Sequence, residues 1–248
     1  MLKKVNKRLV IIPTYNEKDN IEAIIRKVFS LPVDFDILIV DDNSPDGTAQ
    51  IVESLQQEFP NKLFILKRPG KLGLGTAYIE GFRWGLDKKY DYFFEMDADF
   101  SHNPEDLVRL YQAAEEGYDM VVGSRYVQGV NVVNWPIGRV LLSFYASKYV
   151  RFILGLPIHD ATAGFVCYSQ RLLHSIDLNK IRFIGYAFQI EMKFIAHRLG
   201  YKIKEIPIIF TDRRYGQSKM SKKIVREAFF GVLKLRFTNA RKRYRKHE

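Results

Sequence analysis

The triplet Asp97-Ala98-Asp99 is the pattern in this chain that specifies chemistry most narrowly. Two carboxylates at this spacing share one face of an extended segment or flank a turn. A hard divalent cation takes oxygen ligands and bridges phosphate oxygens, and carboxylates this close repel unless a cation or an arginine offsets them. The plainer alternative is helix capping, but Asn103-Pro104 already supplies a favoured cap with proline at the first helical position. A second acidic pair, Asp41-Asp42, runs into Asn43-Ser44. An acid here accepts hydrogen bonds from ribose hydroxyls or a base edge, or makes an Asx-type turn feeding the next helix. Gly70-Lys71-Leu72-Gly73-Leu74-Gly75 looks like a phosphate cradle. It follows a third strand rather than a first and lacks the third glycine of a dinucleotide fingerprint, so NAD binding is rejected, and there is no GKS or GKT loop. Asp212-Arg213-Arg214-Tyr215-Gly216-Gln217-Ser218-Lys219 sets cations in a glycine-containing loop that suits a diphosphate, or is a solvated charged loop. Asp160 reads equally as base, acceptor-site ligand or cap. His102, His159 and His197 lack zinc-site spacing.

Strands and helices alternate through the first half of the chain. Leu9-Val10-Ile11-Ile12, Ile37-Leu38-Ile39-Val40, Leu63-Phe64-Ile65-Leu66, Tyr92-Phe93-Phe94 and Met120-Val121-Val122 read as short apolar strands. Helical spacing follows in Ile21, Ile24, Ile25 and Val28, in Ile51 and Leu55, and in Tyr78, Phe82 and Leu86. Continuous apolar strands between amphipathic helices imply a mainly parallel sheet covered on both faces, where ligands sit beyond the carboxyl ends of the strands. Four polar clusters fall there: Pro13 to Glu17, Asp41-Asp42, Asp97 to Asp99, and Gly123-Ser124-Arg125. Residues 137–156 read as a basic, aromatic amphipathic stretch, and 202–212 as a strand broken at Pro207. The segment from about 221 reads as a helix followed by a basic tail, with seven Lys or Arg from Lys234 onward. This gives one α/β domain over 1–220 and a C-terminal helix and tail over 221–248.

A length of 248 residues fits one large domain. The apolar fraction of 47% and charged fraction of 27% exclude a mainly disordered or low-complexity chain. The single cysteine, Cys167, excludes a disulfide framework and a Cys-only zinc site. The 39 Lys and Arg against 28 Asp and Glu give a net charge of +11, which favours phosphate-bearing partners: nucleotides, nucleic acid or anionic lipid. No signal peptide is read at the start, and no window reaches the apolar length of a spanning helix, so a soluble or peripheral intracellular protein is expected.

In order along the chain, these motifs resemble the family 2 glycosyltransferases of GT-A fold. They are Ile12 to Glu17, Val40 to Thr48, Gly73 to Tyr78, Met96 to His102, Gly123 to Tyr126, Asn134-Trp135-Pro136, Asp160 to Phe165, and Asp212 to Lys219. The stretch from Arg125 to Trp135 and the closing Tyr-Gly-x-Ser-Lys narrow the likeness to the dolichol-phosphate or polyprenol-phosphate mannosyltransferase branch.

The resemblance implies roles. Pro13, Tyr15, Glu17 and Asp42 would hold the nucleoside of GDP-mannose, with Val40 beside the base. Asp97 and Ala98 would line ribose and diphosphate, and Asp99 would bind Mg²⁺ or Mn²⁺. Where some relatives carry glutamine, this chain has Ser101, a weaker ligand. Arg213 and Lys219 match the cations on the diphosphate side; Arg125, Arg139 and Ser143 match the pocket for a polyprenyl phosphate. The catalytic group would be Asp97, Asp99, Arg125 and Arg213, and the reaction would invert the donor linkage. The lipid acceptor implies an anionic membrane surface as partner, approached through 137–156 and the basic tail or through a separate membrane subunit, on the cytoplasmic face. Nucleic acid is not among the expected partners. The alternatives are a polyprenyl-phosphate glucosyltransferase or another family 2 enzyme, then a nucleotidyltransferase, then a basic nucleic-acid-binding module.

Overall fold

The computed structural model describes residues 6–185, 187–212 and 222–246, and for 222–228 the backbone alone. Arg213 and Lys219 lie outside the described residues, as does most of the loop that carries them.

The five expected strands form as β1 (Arg8–Thr14), β2 (Asp36–Asp41), β3 (Leu63–Lys67), β4 (Tyr92–Glu95) and β5 (Met120–Ser124). Their continuous apolar character has a direct cause. Alternate residues enter two different cores, Leu9, Ile11, Leu38 and Val40 on one face and Val10, Ile12, Ile37 and Ile39 on the other. Helices α1 (Ile21–Phe29), α2 (Thr48–Glu58) and α4 (Asp106–Glu115) cover the second face, and α3 (Leu74–Asp87) the first. The Asn103 carboxamide accepts from the Glu105 N–H at 3.1 Å, so it caps a turn that precedes the regular helix.

After β5 come β6 (Val132–Val133), α5 (Ile137–Leu154), β7 (Val166–Ser169), α6 (Gln170–Ser175), α7 (Ala187–Arg198), β8 (Ile203–Pro207) and β9 (Phe210–Thr211), then α8 (Lys222–Arg236) and α9 (Ala240–Tyr244). The main sheet has the order β3-β2-β1-β4-β7-β5-β8. All neighbours are parallel except β7, which runs antiparallel to both β4 and β5. Strand order reverses beside β1, where β2 and β3 lie to one side and β4 to the other, and such a crevice is where ligands bind in open α/β sheets. β6 and β9 form a separate two-stranded ribbon, and the segments leading into them are tied to the β5 end by Asn131 N–H to Arg125 O at 2.9 Å and Ile208 N–H to Ser124 O at 3.1 Å.

The C-terminal segment read as a basic tail is part of the fold. Val232, Leu235, Ala240 and Tyr244 are buried in the first core, and the Tyr244 hydroxyl donates to Glu191 at 2.6 Å. Apolar residues spaced among the basic ones hold this segment against α7, and the charges line its outside.

Candidate active site

At the β1 and β2 ends, side chains lock two loops together. Thr14 and Ser44 hydroxyls both donate to Asp41, at 2.8 and 2.6 Å, and the Ser44 hydroxyl accepts the Asn16 N–H at 3.1 Å. Asp46 accepts from the Thr48 hydroxyl, which in turn accepts the Glu17 N–H at 3.0 Å. Asp41, Ser44, Asp46 and Thr48 are thereby spent on holding Pro13, Tyr15 and Glu17 in place. Asp42 is held by a different partner: Arg68, just past β3, donates Nε–H to its Oδ1 at 2.6 Å and is itself buried. Burial lifts the Asp42 carboxyl above the usual range, and Arg68 offsets part of that. Val40, expected beside the base, has its side chain wholly enclosed in the core, so it supports the floor of the pocket rather than lining it.

The glycines at the start of α3 serve packing, a correction to the phosphate-cradle reading. Gly73 has φ of +104°, and a Cβ there would come within 2.8 Å of the Ile184 carbonyl. Gly75 donates its N–H to that carbonyl at 2.8 Å, and its own Cβ would meet Phe183 O at 2.8 Å. Close backbone approach requires glycine at both positions. Lys71 from the same loop stands over the Tyr15 ring at 4.8 Å.

The acidic triplet follows β4 in a tight loop. The Asp99 carboxylate accepts the Ser101 N–H at 3.0 Å, the Asp97 N–H points to His102 Nδ1 at 3.3 Å, and Phe100 adopts φ of +59°. His102 stacks on Phe165, and burial pushes its pKa down to about 4, so its neutral ring acts as the acceptor that closes the loop. Ala98, Asp99 and Ser101 are buried and Asp97 is half-buried. Among the described residues, no group of three or more His, Cys, Asp or Glu could cage a metal. A donor set of one or two carboxylates completed by phosphate oxygens and water is what Mg²⁺ takes in phosphate-transfer sites, so the residues fit a cation that arrives with a nucleotide diphosphate.

Beyond β5, Arg125 is buried and already paired. Its Nε and Nη2 donate to the two Asp160 oxygens at 2.7 and 2.6 Å, and its own backbone N–H reaches Asp160 at 3.0 Å. Burial alone would raise the Asp160 carboxyl, but Arg125 outweighs it and holds the pKa below the usual range. Glu205 of β8 fixes the Asp160 N–H at 2.9 Å. Asp160, whose role the sequence left open, is therefore the partner that orients Arg125, and the pair as a whole carries no net charge. Arg139, in the first turn of α5, lies 3.9 Å over the Trp135 ring and donates to Asp212 at 2.9 Å. The Arg125 guanidinium faces Tyr126 and Trp135 as well, at 5.2 and 5.6 Å, and the Tyr126 hydroxyl feels Arg125, Ser143 and Arg139 together. Arg125 and Arg139 thus both face the Trp135 ring.

The sheet order arranges these clusters in a line. Asp42 stands at β2, the triplet at β4 and Arg125 at β5, with β1 and β7 between them. At about 4.8 Å per strand, each interval is about 10 Å, the scale of a nucleoside, a diphosphate and an acceptor laid end to end. Sequence reasoning missed Arg68, although it follows β3 directly and obeys the same strand-end rule. It also missed the buried layer beneath: Glu95, Gln189 and Lys193. Gln189 donates to Glu95 at 2.6 Å, and Lys193 donates to the Ala163 carbonyl at 2.7 Å. Burial pushes the Glu95 carboxyl up to about 8 and the Lys193 ammonium down to about 8.

The comparisons agree with this geometry. The model of the family described as "Glycosyl transferase family 2" matches residues 9–177. Polyprenol monophosphomannose synthase of Mycolicibacterium smegmatis is 46% identical over 231 residues, covering 93% of this chain and 87% of that protein. Undecaprenyl-phosphate mannosyltransferase of Micrococcus luteus is 46% identical over 224 residues, covering 90% and 91%. Among solved structures, glucosyl-3-phosphoglycerate synthase of Mycobacterium tuberculosis, in complex with Mn²⁺, UDP and product, superposes with a TM-score of 0.65 at 19% identity, covering 93% of this chain and 80% of that one. A mannosyltransferase of Pyrobaculum calidifontis, in complex with GDP-Man and Mn²⁺, superposes at 0.58 with 16% identity, covering 96% and 65%. The distant structures share the fold and the two close relatives share nearly the whole chain: the protein is a glycosyltransferase and belongs to family 2.

Proposed function

We propose that this enzyme moves mannose from GDP-mannose to a polyprenyl phosphate, with Mg²⁺ or Mn²⁺, at an anionic membrane surface. The observation that carries the reading is the near full-length likeness to two relatives that are both named for mannosyl transfer involving polyprenyl lipids; the strand-end geometry supports it. Pro13, Tyr15, Glu17 and Asp42 hold the nucleoside, with Asp42 aimed by Arg68. Asp97 and Ala98 line the ribose and diphosphate, and Asp99, with Ser101 as a weak second ligand, receives the metal. Arg213 and Lys219, outside the described residues, are assigned to the diphosphate by the sequence alone.

The acceptor is a phosphate monoester whose second pKa is near ~6, so it is largely a dianion at neutral pH and needs no general base. Its oxygen attacks C1 of the mannose, the bond from C1 to the β-phosphate oxygen breaks, and GDP leaves with the electron pair, which inverts the linkage. The bound cation supplies Lewis-acid stabilisation of the departing diphosphate. The protein must bring two anions together. Arg139, half-exposed in its pair with Asp212, is the cation able to exchange that carboxylate for the acceptor phosphate. Arg125, fixed by Asp160, shapes the pocket and presents its guanidinium edge.

Among the described residues no helix is long and apolar enough to cross a membrane. Helix α5 instead turns Ile137, Leu141, Tyr145 and Phe152 outward, with Leu142 beside them. Tyr149 stacks on Phe229 at 4.8 Å, which joins this surface to Phe229 and Phe230 of α8. Apolar surface on this scale with basic residues among it suits the headgroup region of a bilayer, on the cytoplasmic face if GDP-mannose is drawn from the cytoplasm, and a separate membrane subunit is the alternative anchor. The test is sugar transfer into the lipid phase from GDP-mannose, UDP-glucose or UDP-GlcNAc, with and without Mg²⁺, with Asp99→Ala as control. Metal-dependent mannosyl lipid from GDP-mannose alone, lost in the variant, is expected. Transfer from UDP-glucose would overturn the donor, and an α-linked product would overturn inversion.

A further inference from the structure

Three arginines that the reaction does not use line one cavity of about 450 Å³: Arg198 at the end of α7, Arg236 at the end of α8 and Arg241 in α9. Phe237, Thr238 and Asn239 form part of its remaining wall, and among the described residues no acidic one lines it. Among the described residues, none of the three arginines is in an ion pair; Arg198 makes a long contact, 3.4 Å, from Nη2 to the Leu154 carbonyl at the end of α5. Three like charges around one hollow repel, so the arrangement gains free energy from an anion that enters it. Guanidinium forks match the oxygens of a phosphodiester, and the volume suits a small headgroup.

The rim says which anion. Phe237, next to Arg236 and part of the wall, is 88% exposed. A free phosphate gains nothing from a bare phenyl ring at the mouth, whereas a phospholipid offers its phosphodiester to the arginines and its acyl region to the ring. The cavity is also remote from the acceptor pocket. Arg139 and Leu154 are 15 residues apart on α5, about 22 Å at the helical rise. We infer that this arginine-lined cavity binds the headgroup of an anionic phospholipid, at a site separate from the sugar acceptor. With the outward stripe of α5 between them, the two sites hold that helix along the membrane plane. The inference rests on the enzyme's working at a membrane, and its test reads separately from catalysis.

The full chain is floated on phosphatidylcholine vesicles with and without phosphatidylglycerol, as wild type, Arg198→Gln/Arg241→Gln, Arg198→Lys/Arg241→Lys and the single variant Arg241→Lys, whose site on α9 is exposed. Binding to the phosphatidylglycerol vesicles is expected to fall about five-fold for each arginine replaced by glutamine, the effect of one basic residue beside an anionic leaflet, and to fall with lysine too, because lysine keeps the charge and loses the fork. Transfer to a short-chain polyprenyl phosphate in detergent stays at the wild-type rate. Wild-type binding by both lysine variants would reduce the cavity to diffuse charge and overturn the inference. Displacement from the vesicles by inorganic phosphate at constant ionic strength would assign it to a free anion. Loss of transfer in detergent would show that the cavity is not separate from the catalytic site.

Discussion

At the scale of single residues, ion pairs decide which charges the site can use. Asp42 and Arg68 are both buried, and their bond fixes the carboxylate proposed to hold the nucleoside. Arg68→Met leaves that carboxylate without its cation, a change that costs about 3–5 kcal/mol for a buried pair. The expected result is a lower melting temperature together with weaker GDP binding by titration. Adding Asp42→Asn to the same chain restores much of the stability and none of the binding. Recovery of both would remove Asp42 from the donor site. The pairing of Arg125 with Asp160 follows the same logic. The sequence showed both residues, but only their juxtaposition shows that one neutralises the other and that Arg139 remains the more accessible cation.

At the scale of elements, the glycines of α3 set how close the helix start lies to the backbone of 183–184. Gly75→Ala adds helix propensity of about 1 kcal/mol, but its Cβ would stand 2.8 Å from a carbonyl oxygen and 2.9 Å from Phe188. Overpacking of this kind costs about 1–3 kcal/mol, and the hydrogen bond from Gly75 N–H to Ile184 O would lengthen. A fall in the midpoint of urea unfolding is expected, with weaker donor binding because Arg68 Nη2 reaches the Gly73 carbonyl at 3.3 Å. An unchanged or higher midpoint would mean that the 183–184 segment yields without cost. Helix α5 is the second case. Its apolar residues occupy both faces, Val150 and Leu154 inward and Ile137, Leu141, Tyr145 and Phe152 outward, so a simple amphipathic reading underestimates it.

At the scale of the whole molecule, Glu95 at the end of β4 and Lys193 of α7 are linked through Gln189, which joins the strand before the triplet to that helix. The Glu95 carboxyl is pushed by burial from 4.5 to about 8. Between those values the folded chain holds a proton that the unfolded chain has released, so stability is greatest below about pH 4.5 as far as this group is concerned and falls as pH rises to about 8. Lys193, pushed down from 10.5 to about 8, acts oppositely, and its burial cost is relieved as pH rises from about 8 to 10.5. Glu95→Gln keeps an uncharged partner for Gln189 and is expected to flatten the decline between about pH 4.5 and 8 in melting temperature measured across pH. A variant whose profile parallels the wild type would show that Glu95 is ionised in the fold.

The apolar periods made the five parallel strands, their helices and the strand-end rule legible in the sequence, because burial on two faces demands continuous apolar runs. The same rule located Glu17, Asp42, Asp97, Asp99 and Arg125 without coordinates, and the order of motifs carried the family. Tertiary structure alone decided the rest. It inserted β7 antiparallel between β4 and β5, which brings Asp160 to Arg125. It enclosed Val40, turned the Gly73 and Gly75 pair into a packing device, and folded the basic segment beyond Lys234 onto α7. It also gathered Arg198, Arg236 and Arg241 around one hollow. These outcomes depend on which distant side chain neutralises or covers another, and that is a property of juxtaposition in space, which spacing along the chain does not encode.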